Sequence, residues 1–152
     1  MKQLLILLLL VGCASVVPKP IKYPNVSTEL KPYIEQFNTY YKVYRHSSIQ
    51  PTIVVELGEI PDSKSASGVY RRDTDQTTIS INHWITLDNM GRFILISHEL
   101  GHHILKRNHD FSENPILTDG CPRSIMYYKS FPSLCYKKHF KYYMDELFMW
   151  SN

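Results

Sequence analysis

The sequence predicts an α+β domain, with a small twisted sheet packed on one long, mostly buried helix. Two observations carry this. Short β-branched or alternating segments are confined to residues 51–83. Apolar residues at helical spacing precede that stretch once and follow it twice, so strands and helices are segregated along the chain.

The first twelve residues stand apart from the domain. Met1-Lys2 is a positive start and Leu4 to Val11 an unbroken apolar run, too short to span a bilayer as a mature helix. This is the pattern of an export signal, residues 1–12. It ends in Leu10-Val11-Gly12-Cys13, which resembles the lipobox of bacterial lipoproteins. That resemblance implies cleavage before Cys13, acylation of its thiol and new amine, and a membrane-anchored protein on the extracytoplasmic or periplasmic face. More than one acyl chain suffices for stable anchoring. Ala14 and Ser15 lack the Asp that would imply inner-membrane retention, which favours an outer membrane where the organism has one. Residues 13–27 carry Pro18, Pro20 and Pro24 without apolar periodicity and read as the lipidated Cys13 and an extended tether. The domain proper is then 28–152.

From Ser27 or Thr28, the residues Tyr33, Phe37, Tyr40, Tyr41 and Tyr44 recur at helical spacing, with Pro32 tolerable only in the first turn. This aromatic stripe is a packing face. Pro51 to Leu57 is a short, β-branched, buried strand. Pro61 to Ser67 is a polar loop. Gly68 to Arg72 and Thr77 to His83 flank Asp73-Thr74-Asp75-Gln76 as a hairpin. In its second arm Thr77, Ile79 and Ile81 form the buried face. Asp88 is a good N-cap for a helix from Asn89 to about Arg107, with Phe93, Ile94, Ile96, Leu100, Ile104 and Leu105 inward. A loop with Pro115, Gly120 and Pro122 spans Asn108 to Ser130. Tyr136 to Trp150 closes the chain as a helix with Phe140, Tyr143, Met144, Leu147 and Phe148 inside.

The 152-residue chain has a formal net charge of +3 and scattered basic residues, which give no case for a nucleic-acid groove. The lysines Lys137, Lys138 and Lys141 are the solvated face of a helix. Cys121 and Cys135 remain after export, and an even pair in an oxidising compartment is expected to form a disulfide.

His98 and His102 lie four apart on the buried helix, about 40° apart in azimuth and about 6 Å along the axis, so both imidazoles can meet one metal ion. Glu99, one step round, cannot join them on that ion but can reach a water beside it. Zinc-assisted hydrolysis needs this arrangement. A third protein ligand is required, and His109 and Asp110 are the candidates, with a downstream glutamate such as Glu146 as a further one. On a continuous helix His109 would sit about 10 Å beyond His102, so the chain must turn before it. Asn108 suits the left-handed conformation that would end the helix. His103 is about 100° away from His102 and cannot share the ion. His46, His83 and His139 stand alone.

The stretch His98-Glu99-Leu100-Gly101-His102, followed by Ser124-Ile125-Met126-Tyr127-Tyr128, resembles the metzincin clan of metallopeptidases. Its motif is HExxHxxGxxH with a later methionine turn, S-x-M-x-Y. The resemblance covers residues 50 to 150 in element order and departs at two places. The clan's glycine falls at Leu105 and its third histidine at Asn108, one residue before His109. It implies zinc as cofactor, a peptide or protein substrate extended along the edge strand (here the Gly68–Arg72 arm), and endopeptidase hydrolysis with Glu99 as base. It also implies Met126 as an apolar floor beneath the ligands and Tyr128 as a donor near the reacting carbonyl, with Tyr127 the alternative. A non-catalytic metal-binding lipoprotein and a metallohydrolase of cell-wall peptides are the rival expectations.

Overall fold

The computed structural model of the protein describes residues 22–60, 66–111, 116–129 and 132–149. The signal segment, Cys13 and the tether as far as residue 21 lie outside the described residues. A 3-10 turn, Thr28–Leu30, leads into α1 (Lys31–Arg45). Then follow β1 (Val54–Gly58), β2 (Gly68–Arg71), β3 (Gln76–Ser80), α2 (Ile81–Trp84), α3 (Asn89–His103) and α4 (Ser133–Met149). This is an α+β arrangement around a three-stranded mixed sheet. β3 is central, parallel to β1 and antiparallel to β2. Among the described residues no helix is long and apolar enough to cross a membrane.

The aromatic stripe of α1 packs as its spacing requires. Pro32 falls in the first turn, and His46 ends the helix with a left-handed backbone. Phe37 and Tyr44 meet Phe148 of α4 at ring-centroid distances of 5.1 and 5.2 Å. Tyr40 reaches Phe93 of α3 at 6.0 Å. Offset and edge contacts of this kind add to the hydrophobic burial.

Element boundaries shift where local chemistry competes with periodicity. Residues 25–27, assigned to the tether, pair with β1. Tyr23 and Val26 are buried, Val26 bridges Val55, and Ser27 N–H and Val55 N–H donate to Val55 O and Asn25 O. The packed chain therefore begins before Thr28. Pro51 and Thr52 form a turn, so β1 starts at Val54, and within it only Val55 is buried. The second hairpin arm stops at Ser80, whose hydroxyl accepts from His83 N–H and starts α2. Ile81, expected on the buried face, is consequently 40% exposed. The hairpin turn itself sits at residues 72–75, with Asp75 left-handed at φ 50°.

Asp88 caps α3 by accepting from Gly91 N–H at 2.7 Å. The helix ends at His103 rather than near Arg107, and Leu105 N–H reaches back to Leu100 O and Arg107 N–H to Gly101 O. A widened last turn replaces the regular ladder there. α4 starts at Ser133, earlier than its apolar pattern suggested, and is kinked at His139 (φ −117°, ψ 27°). Tyr143, Met144, Leu147 and Phe148 are buried on its inner side, while Phe140 is only half-buried.

A disulfide joins Cys121 to Cys135 with Cα atoms 5.5 Å apart, tying the segment before residues 124–128 to the first turn of α4. The sequence separation is 14. Loop-closure entropy for such a loop corresponds to about 3 kcal/mol. Reduction, or Cys135→Ser, should lower the unfolding free energy in urea by about that amount; an unchanged midpoint would show that the bridge does not constrain the unfolded chain.

Candidate metal centre

Three imidazoles converge at the open end of α3. His98 Nε2 lies 3.2 Å from His102 Nε2 and 3.1 Å from His109 Nε2. The far ring nitrogens explain why. His98 Nδ1 is 2.8 Å from Ile125 O, and His102 Nδ1 is 2.6 Å from Arg107 O. A carbonyl only accepts, so both Nδ1 atoms carry the proton and both Nε2 atoms present lone pairs. Two lone pairs at 3.2 Å cannot hydrogen-bond to each other. Nor is an extra proton held there readily, since burial first, then the neighbouring His102, pull the His98 imidazole down to about 3. Burial also lowers His102 and His109. Nitrogens bonded at about 2.0–2.1 Å to one tetrahedral ion would stand about 3.3 Å apart. The spacing and the tautomers both fit a shared metal cation, of the kind that imidazole sets prefer.

The return of His109 to the helix end is made by a turn at Lys106, not at Asn108. Lys106 has φ 56°, whereas Asn108 is not left-handed. Beyond the turn Asp110 N–H donates to Met126 O at 2.8 Å, and Asp110 bridges Tyr127 in parallel. The loop that carries His109 is thereby laid against residues 124–128. The ring of residue 109, not the carboxylate of Asp110, completes the cluster. Glu146, the further candidate ligand, is buried and turned to Arg107, Ser124 and Ile125 instead.

Two glycines set close approaches at this site. A Cβ on Gly101 would stand 2.5 Å from Met126 Sδ, so the missing side chain lets Met126 lie against α3. A Cβ on Gly68 of β2 would stand 2.6 Å from the Glu99 carboxyl. Glu99 is 4% exposed, and burial pushes its carboxyl up to about 8. A cation held nearby would favour the ionised form again. Glu99, His98 and His109 line one cleft of about 670 Å³, with Ile94, Leu95 and Ile125 supplying apolar wall. Tyr127 and Tyr128 also line it; Tyr128 is 46% exposed and stands beside Phe111, ring centroids 5.3 Å apart.

The other histidines divide. His103 turns to the hairpin, with Nδ1 2.9 Å from Thr77 Oγ1 and its ring stacked on Tyr70. His139 pairs with Asp119 at 2.6 Å. Asp119, His139 and Cys121 sit close enough to suggest a second metal cluster, but the Cys121 sulfur is committed to the disulfide. His83 belongs to the cleft wall, which its isolation in the sequence did not suggest. The signal lay in Ser80, the cap that turns the chain into α2. Gly68 was read only as the start of a strand arm; its contact with Glu99 has no local sequence mark.

No protein-family model matches this chain, and no curated protein or solved structure matches it either.

Ions that bind the folded protein alone stabilise it. Zinc added to metal-free protein at one hundred times its dissociation constant should raise stability by about 2.7 kcal/mol, read as a higher unfolding temperature. His98→Ala, His102→Ala and His109→Ala should each remove most of that rise, and Asp110→Asn should keep it. A full rise in His109→Ala would exclude this ligand set.

Proposed function

We propose that this protein is a zinc-dependent peptidase of metzincin-like design, exported and anchored through a lipid on Cys13. The observation that carries the reading is the placement of a buried carboxyl, Glu99, in the wall of the same cleft as His98 and His109, whose ring nitrogens converge with that of His102. The Ser124–Tyr128 segment, packed under α3 through Met126 and Gly101, supports the likeness to the clan.

His98, His102 and His109 would hold the ion. Bound zinc supplies Lewis-acid polarisation of the scissile carbonyl and makes water more acidic. Glu99 accepts the proton of the attacking water at a carboxylate oxygen and delivers it to the departing amine. Its burial beneath Gly68 keeps bulk water from competing and fixes the carboxyl against β2. That strand is the outer one beside β3, so a peptide can add alongside it in extended form. Tyr128, which also lines the cleft, has a phenol suited to donate to the developing oxyanion. The apolar wall of Ile94, Leu95 and Ile125 suits a non-polar substrate side chain.

Cleavage of a peptide library by the purified protein should be blocked by a chelator and restored by zinc. Glu99→Gln should retain metal and lose about 10²–10⁴-fold in rate; wild-type rates in that variant sink the mechanism. Metal binding without any cleavage, across the library and cell-wall peptides alike, would leave a non-catalytic metal protein. Gly68→Ala must displace the Glu99 carboxyl, and a misplacement of this size can cost about 10²-fold. It should slow cleavage while metal affinity stays unchanged.

A further inference from the structure

The hydrogen bonds that aim His98 and His102 end on two carbonyls whose residues converge on one side chain. Ile125, whose C=O receives His98 Nδ1–H, donates its own N–H to Glu146 Oε2 at 3.2 Å. Arg107, whose C=O receives His102 Nδ1–H, donates from Nη2 to Glu146 Oε1 and from Nη1 to Glu146 O at 3.0 Å. Ser124 Oγ donates to Glu146 Oε1 at 2.9 Å while accepting Met126 N–H at 2.9 Å. Met126 O in turn receives Asp110 N–H, next to the third histidine. Glu146 is 2% exposed and does not line the cleft.

We propose that Glu146 is the positioning residue of the metal centre, a buried carboxylate that aims the His98 and His102 lone pairs through Ile125 and Arg107. The proposal rests on the reading of the three histidines as metal ligands. Two features separate it from ordinary core packing. Buried ion pairs are commonly matched or exceeded in stability by apolar residues of similar volume, so stability alone does not account for one. This pair also leaves Arg107 Nε buried without a hydrogen-bond partner among the described residues, so the guanidinium is not placed to satisfy all its own donors. It is placed where its backbone carbonyl meets His102. Rotating either imidazole by a small angle turns its lone pair away from the shared point, and the two carbonyls are what prevent that. Glu146 holds both carbonyls from α4, an element separated from Arg107 by 39 residues and from Ser124 by 22.

The test uses the full chain in detergent. Zinc affinity is measured by competition with a chromophoric chelator, and geometry by the visible absorption of the cobalt(II) form. Partners one shell out from a metal typically carry about 10–100-fold in affinity. Glu146→Gln should weaken zinc by about that factor and shift the cobalt bands. Arg107→Lys, which keeps the charge but loses the two-pronged grip, should act in the same direction and guards against a Glu146→Gln chain that fails to fold. Phe37→Leu, a core change remote from the cluster with its own loss of urea stability, should leave both readouts at wild-type values. Wild-type affinity and an unshifted spectrum in Arg107→Lys and in folded Glu146→Gln overturn the positioning role. Weakening by Phe37→Leu to the same degree overturns it too, because stability alone would then explain the effect. Absence of zinc and cobalt binding in the wild-type chain would instead overturn the metal reading itself.

Discussion

The Nε2 lone pairs of His98 and His102 face each other at 3.2 Å, a contact that opposes folding unless a cation is held between them. The rest of the structure is arranged to impose that contact. α3 provides both rings on one face, and carbonyls of Ile125 and Arg107 stop them from rotating away. The core then carries the load: Ile96 and Leu100 of α3 are fully buried, and α1, α4 and the sheet close around them. Local repulsion of this kind persists only where the surrounding packing over-determines the geometry. Glu99 adds a second such tension, a carboxyl held in an apolar wall. One added positive charge would relieve both tensions.

Much of this was legible in the residues themselves. The 98/102 spacing, the capping Asp88 and the aromatic stripe of α1 act over one or two helical turns, and local patterns capture local geometry. The methionine segment 124–128 was legible through its likeness to a known motif. What the sequence hid depends on partners far along the chain. Val26 follows a proline-rich stretch, yet β1 supplies a ladder for residues 25–27. Glu146 follows the inward periodicity of α4 as any core residue would, and only its meeting with Arg107 and Ser124 sets it apart. Ile81 was misplaced for the reverse reason: one hydroxyl, Ser80, outweighed an alternating pattern by offering the backbone a helical start.

The extra residue before His109, relative to the motif it resembles, shows how its loop and the sheet are coupled. In the clan pattern that histidine would be residue 108, and here it is 109. A straight extension of α3 cannot absorb the difference, because each added helical residue would carry the ring about 1.5 Å farther along the axis. The chain instead ends α3 at His103, widens the last turn and places Lys106 in the left-handed region. For a non-glycine residue that conformation costs about 1–2 kcal/mol. The compensation is visible in the side chain: Lys106 Nζ donates to Tyr70 OH at 2.6 Å and lies 3.4 Å from Asp75 Oδ1. Tyr70 OH donates to the same Asp75 oxygen, and Arg72 Nη2 donates to Asn108 Oδ1 at 3.0 Å. The β2–β3 hairpin therefore performs two tasks at once. Its outer strand covers Glu99 through Gly68, and its turn holds the backward loop that carries His109, so Glu99 and His109, the proposed base and third ligand, are registered by the same pair of strands.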